Sequence, residues 1–260
     1  MENKKGIFQS SARFSSGSED WAIGLSLFTS LSHGELNTKT SGLLHQQEIK
    51  TGISHTSDVR RKTFLQGRIT AKMAVNQIFP HICPYDLQIE TGCFGKPYIK
   101  NLAEPYGISI THDDLWNAGL CFPLSFPMGI DVETIYEKNR EIIPSIFSGD
   151  EKEICKREAD SLAFFHLLWT AKEAAGKAIG LGFRVPEAWY EIDAVETISI
   201  DLGSMHQSRL KQLSLFSTVS AAIHQGILTI AFPADNNLEK IMVNLLEDVL
   251  REFPAILPFR

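Results

Sequence analysis

Long apolar runs are missing from this chain of 260 residues. None approaches the roughly 20 residues that a membrane-spanning helix needs. Cysteine is scarce as well. The four thiols, Cys83, Cys93, Cys121 and Cys155, stand far apart with no C-x-x-C pair. That spacing argues against a disulfide framework or a zinc ribbon and fits a reducing cytosol. The first 20 residues are polar and Ser-rich and lack the apolar segment of a secretory signal. Compositional bias is absent too: 43% hydrophobic, 22% charged, 18 Gly and 11 Pro are globular values, which excludes collagen-like and disordered chains. Positive charge is not in excess, since the net charge is −6, so a nucleic-acid partner is not expected. A soluble cytoplasmic protein without a membrane partner is the expectation, long enough for one large domain or two small ones.

The charge is unevenly spread. Between Lys50 and Asn76 six cations (Lys50, Arg60, Arg61, Lys62, Arg68 and Lys72) face one acid, Asp58, so the segment carries +5 and the remainder −11. A basic stretch in an acidic protein suits an anion seat, and equally a solvated helix face.

Periodicity divides the chain into strands and helices. Trp21–Phe28 reads as a buried strand, and the Ser-, Thr- and Asn-rich stretch Thr29–Gly42 reads as a loop. Apolar positions at near-helical spacing predict an amphipathic helix over Asp58–Phe79, ended by Pro80 and Pro84. Strands are expected at Leu87–Glu90, Tyr98–Ile99, Tyr106–Thr111, Asn117–Phe122 and Met128–Glu133, with a turn at Gly92–Pro97. The stretch Pro123–Pro127 is the expected crossing between halves. Beyond it, helices are predicted over Ser148–Ala159, Ser161–Ile179 and Leu238–Phe253, and strands over Trp189–Ile200, Leu213–Ile223 and Ile227–Phe232. Regular βαβ alternation is absent, so the class is α+β. Thr70-Ala71-Lys72-Met73-Ala74 and Thr170-Ala171-Lys172-Glu173-Ala174 agree at four of five positions. A match this short is open to chance or to duplication of a half-domain.

Asp131 and Glu133 lie two apart on an expected strand, so both carboxylates share one face while Ile130 and Val132 face the core. Two adjacent anions beside an apolar core repel, and a divalent cation or a basic partner relieves them. Hard oxygen donors favour magnesium, although a pair of surface acids fits the same spacing. On the helix from Ser161, Glu173 and Lys177 are i,i+4 and read either as a solvent ion pair or as chemistry beside Trp169. His112 ends a strand, and Gly95-Lys96-Pro97 follows a Gly-containing turn but is no nucleotide P-loop.

Taken in order, Gly95-Lys96-Pro97, Ile110-Thr111-His112, Gly129-Ile130-Asp131-Val132-Glu133, Phe147-Ser148-x-x-Glu151 and Trp169-Thr170-x-Lys172-Glu173-Ala174-x-x-Lys177 resemble the Sfp-type 4′-phosphopantetheinyl transferase family. The resemblance implies two similar α/β halves forming a pseudo-dimer, residues 1–126 on the coenzyme adenine side and 127–260 with the acids and catalytic helix, and an active site in the cleft between them. It implies transfer of phosphopantetheine from coenzyme A to a serine of an apo acyl or peptidyl carrier protein by a monomer. Asp131, Glu133 and Glu173 would hold magnesium, and Glu173 would also be the base for the serine hydroxyl, directly or through a water. Lys177 would neutralise the pyrophosphate and protonate the leaving group. His112, grouped with Glu173 and Lys177 as catalytic, would bind a coenzyme phosphate beside Thr111, and Lys96 would sit by the adenine and 3′-phosphate, with Arg61 or Lys62 completing the 3′-phosphate seat. Where the family often has Ser-His-Ser, this chain has Thr111-His112-Asp113, and a carboxylate there weakens the anion seat unless it points away. Two other readings stay open: a magnesium-dependent nuclease or phosphatase using Asp131 and Glu133, and a non-catalytic interaction module.

Overall fold

The computed structural model describes residues 6–140, 146–158 and 160–255, apart from the side chain of Phe183. It divides into two compact units, Met1–Pro127 and Met128–Arg260. Both mix helices with antiparallel sheets.

In unit 1, strands β1 (Ile7–Ser16), β2 (Glu19–Thr29), β5 (Tyr106–His112) and β6 (Trp116–Pro123) form a sheet in the order β1-β2-β6-β5. Helix α3 (Asp58–Ile78) lies against it, capped by the Ser57 hydroxyl. One flank of α3 (Ala71, Ala74, Val75) packs with Ile108 and Cys121 of the sheet. Its opposite flank (Leu65, Ile69, Met73) packs with Phe28, Leu36 and Leu44. Two short helices, α1 (His33–Leu43) and α2 (Gln46–Ser54), supply that second layer, and a ribbon of β3 (Ile89–Thr91) and β4 (Pro97–Ile99) completes the unit.

The stretch expected as a loop at Thr29–Gly42 is therefore largely helix α1. Its start is fixed by a reciprocal capping box between Ser32 and Glu35 rather than by apolar periodicity, since Leu36 is its one buried residue. Strand β1 was not expected from the sequence either, and forms a hairpin with β2, which itself begins two residues before Trp21.

Unit 2 has a five-stranded sheet in the order β7-β11-β10-β9-β8: β7 (Gly129–Thr134), β8 (Ile192–Ile200), β9 (Gly203–Leu210), β10 (Phe216–Ile223) and β11 (Gly226–Pro233). Helix α5 (Ser161–Ile179) packs on β7, β10 and β11 and ends at Gly180, whose φ of 77° supplies the left-handed cap that disfavours a side chain. Helices α4 (Gly149–Lys156) and α6 (Asn236–Glu252) complete it. Strand β9 was unexpected, and Trp189 and Tyr190 belong to a 3-10 turn ahead of β8. The helix expected over Ser148–Ala159 is α4, with Ala159 outside the described residues. No helix among the described residues is long and apolar enough to cross a membrane.

The units share local packing. A Cβ on Gly24 of β2 would collide with the backbone carbonyl of Ala74 on α3, and one on Gly129 of β7 with that of Ala174 on α5. Each glycine lets a sheet approach a helix backbone at the same point of the TAK-x-A segment.

Candidate active site

β7 carries the acids. Gly129 faces α5, and period-two geometry turns Asp131 and Glu133 the same way, leaving Ile130 and Val132 buried on the opposite face. Asp131 is only 2% exposed. The residue that meets it is Lys177 of α5, whose Nζ donates to Oδ1 at 2.6 Å. Lys177 therefore serves the strand acid rather than forming a solvent pair with Glu173. Glu173 lies one turn earlier on the same helix, half-buried. Burial pushes its carboxyl up to about 7, Asp131's charge adds to the rise, and Lys177 opposes it. An acid poised near neutrality beside a lysine-bound carboxylate suits proton transfer at physiological pH.

Two further contacts fix α5. The hydroxyl of Thr170 meets that of Thr229 at 2.7 Å, which in turn meets Ser220 at 2.8 Å. Lys172 is 3% exposed, and its Nζ lies 2.7 Å from one carboxylate oxygen of Glu151 and 2.8 Å from the other. The sequence grouped Lys172 with Glu173 and Lys177 and gave no sign of its partner, the Glu151 of the Ser148-x-x-Glu151 capping box.

Among the described residues no three Asp, Glu, His or Cys side chains form a ready metal-binding cluster. Asp131 and Glu173 lie within each other's electrostatic reach, and Glu133 follows on the same strand face. All three donors are carboxylate oxygens, as a hard divalent cation requires, and Lys177 already brings positive charge to Asp131.

In unit 1 His112 ends β5, exposed, and a Cβ on Gly67 of α3 would touch its ring at 4.0 Å. His112 thus lies beside α3 less than two turns from Arg61 and Lys62. Arg61 is held by Asp58 at 3.1 Å and by the His55 carbonyl at 3.4 Å. Thr111 is buried at 5% exposure. Lys96 sits half-buried in the turn before β4, and burial lowers its pKa. Asp113, the departure from the family pattern, turns into the β5–β6 hairpin: its Oδ1 accepts the N–H groups of Leu115 at 2.8 Å and Trp116 at 2.6 Å. Two members of the basic stretch are buried. Lys72 is bound to Glu48 and to the carbonyls of Leu43 and Leu87, and Arg68 lies over the Phe64 ring and donates to Thr91.

A strand acid bound by a helix lysine, with a second acid on that helix poised near neutrality, lies on β7 and α5 of this mixed α/β protein. A family model for the 4′-phosphopantetheinyl transferase superfamily matches residues 127–231. A holo-[acyl-carrier-protein] synthase of Geobacter sulfurreducens is 31% identical over 117 residues, which are 41% of this chain and 93% of that relative. The 4′-phosphopantetheinyl transferase gsp of Aneurinibacillus migulanus is 31% identical over 109 residues, 41% of this chain and 44% of that protein. A 4′-phosphopantetheinyl transferase, pptA, of Paxillus involutus is 29% identical over 130 residues, with 41% and 49% covered. The chain thus spans about half the length of the last two. It belongs to the 4′-phosphopantetheinyl transferase superfamily.

Proposed function

We propose that the chain transfers the 4′-phosphopantetheine arm of coenzyme A to a serine of an apo acyl or peptidyl carrier protein, releasing 3′,5′-bisphosphoadenosine. The observation that carries this reading is the Asp131–Lys177 contact beside a Glu173 raised to about 7, within the segment the superfamily model matches. Serine is a poor nucleophile at neutral pH and needs a positioned base. Glu173 takes the hydroxyl proton as the serine oxygen bonds to phosphorus and the bond to the bisphosphoadenosine oxygen breaks. Lys177 neutralises the charge that gathers on the departing phosphate and donates a proton to it. Magnesium, held by Asp131, Glu133 and Glu173, would supply positive charge against the pyrophosphate. The carboxylate donor set supports that choice of ion.

Unit 1 would hold the adenine and 3′-phosphate of coenzyme A. Lys96, Thr111 and His112 contact the coenzyme, and Arg61 or Lys62 meets the 3′-phosphate, with Arg61 first releasing Asp58. The paired Gly24–Ala74 and Gly129–Ala174 contacts support reading the units as divergent copies of one α/β unit, as a pseudo-dimer requires. By the same register Ser26, Met73 and Gln77 of unit 1 stand where unit 2 has Asp131, Glu173 and Lys177, so acid chemistry belongs to unit 2 alone. The cytoplasmic, monomeric setting without nucleic acid or membrane belongs to the same proposal. A phosphatase or nuclease reading is not favoured by the family match.

The test is intact-mass spectrometry of apo carrier proteins from fatty-acid, polyketide and nonribosomal-peptide systems, incubated with coenzyme A and magnesium. A carrier heavier by one phosphopantetheine arm is expected, and EDTA abolishes the gain. Asp131→Asn and Glu173→Gln, folded by circular dichroism, give none. Unmodified carriers with the wild-type protein, or full modification by both variants, would overturn the assignment.

A further inference from the structure

A buried constellation occurs once in each unit. In unit 2, Glu151 is the third residue of α4. Its Oε2 accepts the Ser148 N–H at 2.9 Å and the Lys172 ammonium at 2.8 Å, and its Oε1 accepts the Ile192 N–H at 3.0 Å where β8 begins. In unit 1, Glu48 is the third residue of α2. Its Oε2 accepts the His45 N–H at 2.8 Å and the Lys72 ammonium at 2.5 Å, and its Oε1 accepts the Ile89 N–H at 2.9 Å where β3 begins. In both units one carboxylate caps its own short helix, binds a lysine of the long helix and starts a strand; Lys172 also reaches Oε1 of Glu151 at 2.7 Å, and Lys72 also donates to the Leu43 and Leu87 carbonyls. All four charged side chains are at most 5% exposed.

Such a pair is a costly way to add stability, because both charges must leave water. What it provides is direction. Each lysine is the third residue of the TAK-x-A segment, so pinning its ammonium sets the rotation of the long helix about its axis. On α5 the next residue is Glu173 and the one five further is Lys177. On α3 the corresponding residues are Met73 and Gln77, and no acid depends on the setting.

We propose that Glu151 and Lys172 are positioning residues for the transfer reaction: their buried bond, anchored on the Ile192 N–H, fixes the rotation of α5 that aims Glu173 into the site and Lys177 onto Asp131. The inference rests on the transferase reading for its kinetic consequence, while the fixing of α5 stands apart from it. Neither residue touches substrate. The twin in unit 1 is the same device without acids to aim.

The test compares two charge-free double variants. Glu151→Gln with Lys172→Met retains an acceptor for the Ile192 N–H and the volume of the lysine stem while removing both charges, which avoids a stranded ion. Glu48→Gln with Lys72→Met does the same in unit 1. Both are expected to melt cooperatively. The unit 2 variant loses about a hundredfold in kcat, the scale of a misplaced catalytic group, with KM for coenzyme A within about threefold. Its amides from residue 170 to 177 exchange faster with deuterium while those of α6 do not change. The unit 1 variant leaves kcat and α5 exchange at wild-type values. Wild-type kcat and α5 exchange in the unit 2 variant, or equal kcat losses in both variants, would overturn the proposal. If the wild-type protein modifies no carrier, the transferase reading fails, and exchange along α5 still decides whether the bond fixes the helix.

Discussion

Glu173 answers to two opposed demands. Its carboxyl is raised from 4.5 to about 7, first by burial and then by Asp131, so the folded protein resists the ionised form that a base needs. Transfer is expected to fall as the pH drops and Glu173 takes up its proton, with a midpoint below 7 because magnesium at the same carboxylates would favour the ionised form, read from initial rates of carrier modification at saturating coenzyme A. Stability runs the other way. Folded Glu173 holds its proton to higher pH than the unfolded chain, so it costs nothing below about 4.5. As pH rises through 7 the cost grows to about 3 kcal/mol. Glu173→Gln should therefore melt higher than wild type at pH 8 in a chelating buffer and equally at pH 4. An equal difference at both values would mean that the carboxyl titrates normally. Lys177→Met strands the Asp131 carboxylate, and since Lys177 is 27% exposed the loss should be about 2 kcal/mol rather than the full cost of a buried pair. Adding Asp131→Asn should recover most of it in urea denaturation.

At the level of elements, the approach of each sheet to its long helix depends on a missing methyl group. Gly129→Ala would press a Cβ into the Ala174 carbonyl, and because the obstacle is backbone, α5 must move away from β7. A loss of about 3 kcal/mol is expected for Gly129→Ala and again for Gly24→Ala, with the transfer rate falling beyond the stability effect only for the first. Unfolding curves and rates on both variants check this, and a silent Gly24→Ala would deny that the two packings are alike. These glycines were visible in the sequence but their contacts were not. Long amphipathic elements were legible: α3, α5, α6, β7 and β11 bury enough of one face to imprint their period. Strand β1 was not, because Ser and Ala occupy half of its ten positions and it lies at the edge of its sheet. Helix α2 was hidden by its histidine cap, and β9 by Ser, His and Gln at positions that fold inward. Of the site, Asp131, Glu133, Glu173 and Lys177 were readable from spacing and family pattern. The exchange of partners was not: Lys177 goes to Asp131 because α5 meets β7 across 46 residues of sequence, and Lys172 to Glu151 because α5 meets α4 across 21.

Over the whole molecule the charge divides by unit. Met1–Pro127 carries 12 Lys and Arg against 11 Asp and Glu, while Met128–Arg260 carries 13 against 20. The coenzyme brings several phosphate charges and is proposed to meet the less acidic unit, at exposed or half-buried cations such as Lys62 and Lys96. Exposed charges are screened over a Debye length of about 10 Å at 0.1 M salt, whereas partly buried pairs such as Asp131–Lys177 are screened much less. KM for coenzyme A should accordingly rise severalfold between about 50 and 500 mM sodium chloride at fixed magnesium, while kcat changes by less than about twofold. Replacing Lys62 and Lys96 by Gln should raise KM at low salt and flatten its salt dependence, because the charges that salt would screen are gone. A KM indifferent to salt in the wild-type protein, or an undiminished salt response in the double variant, would remove unit 1 from coenzyme binding while leaving the acid chemistry of β7 and α5 in place.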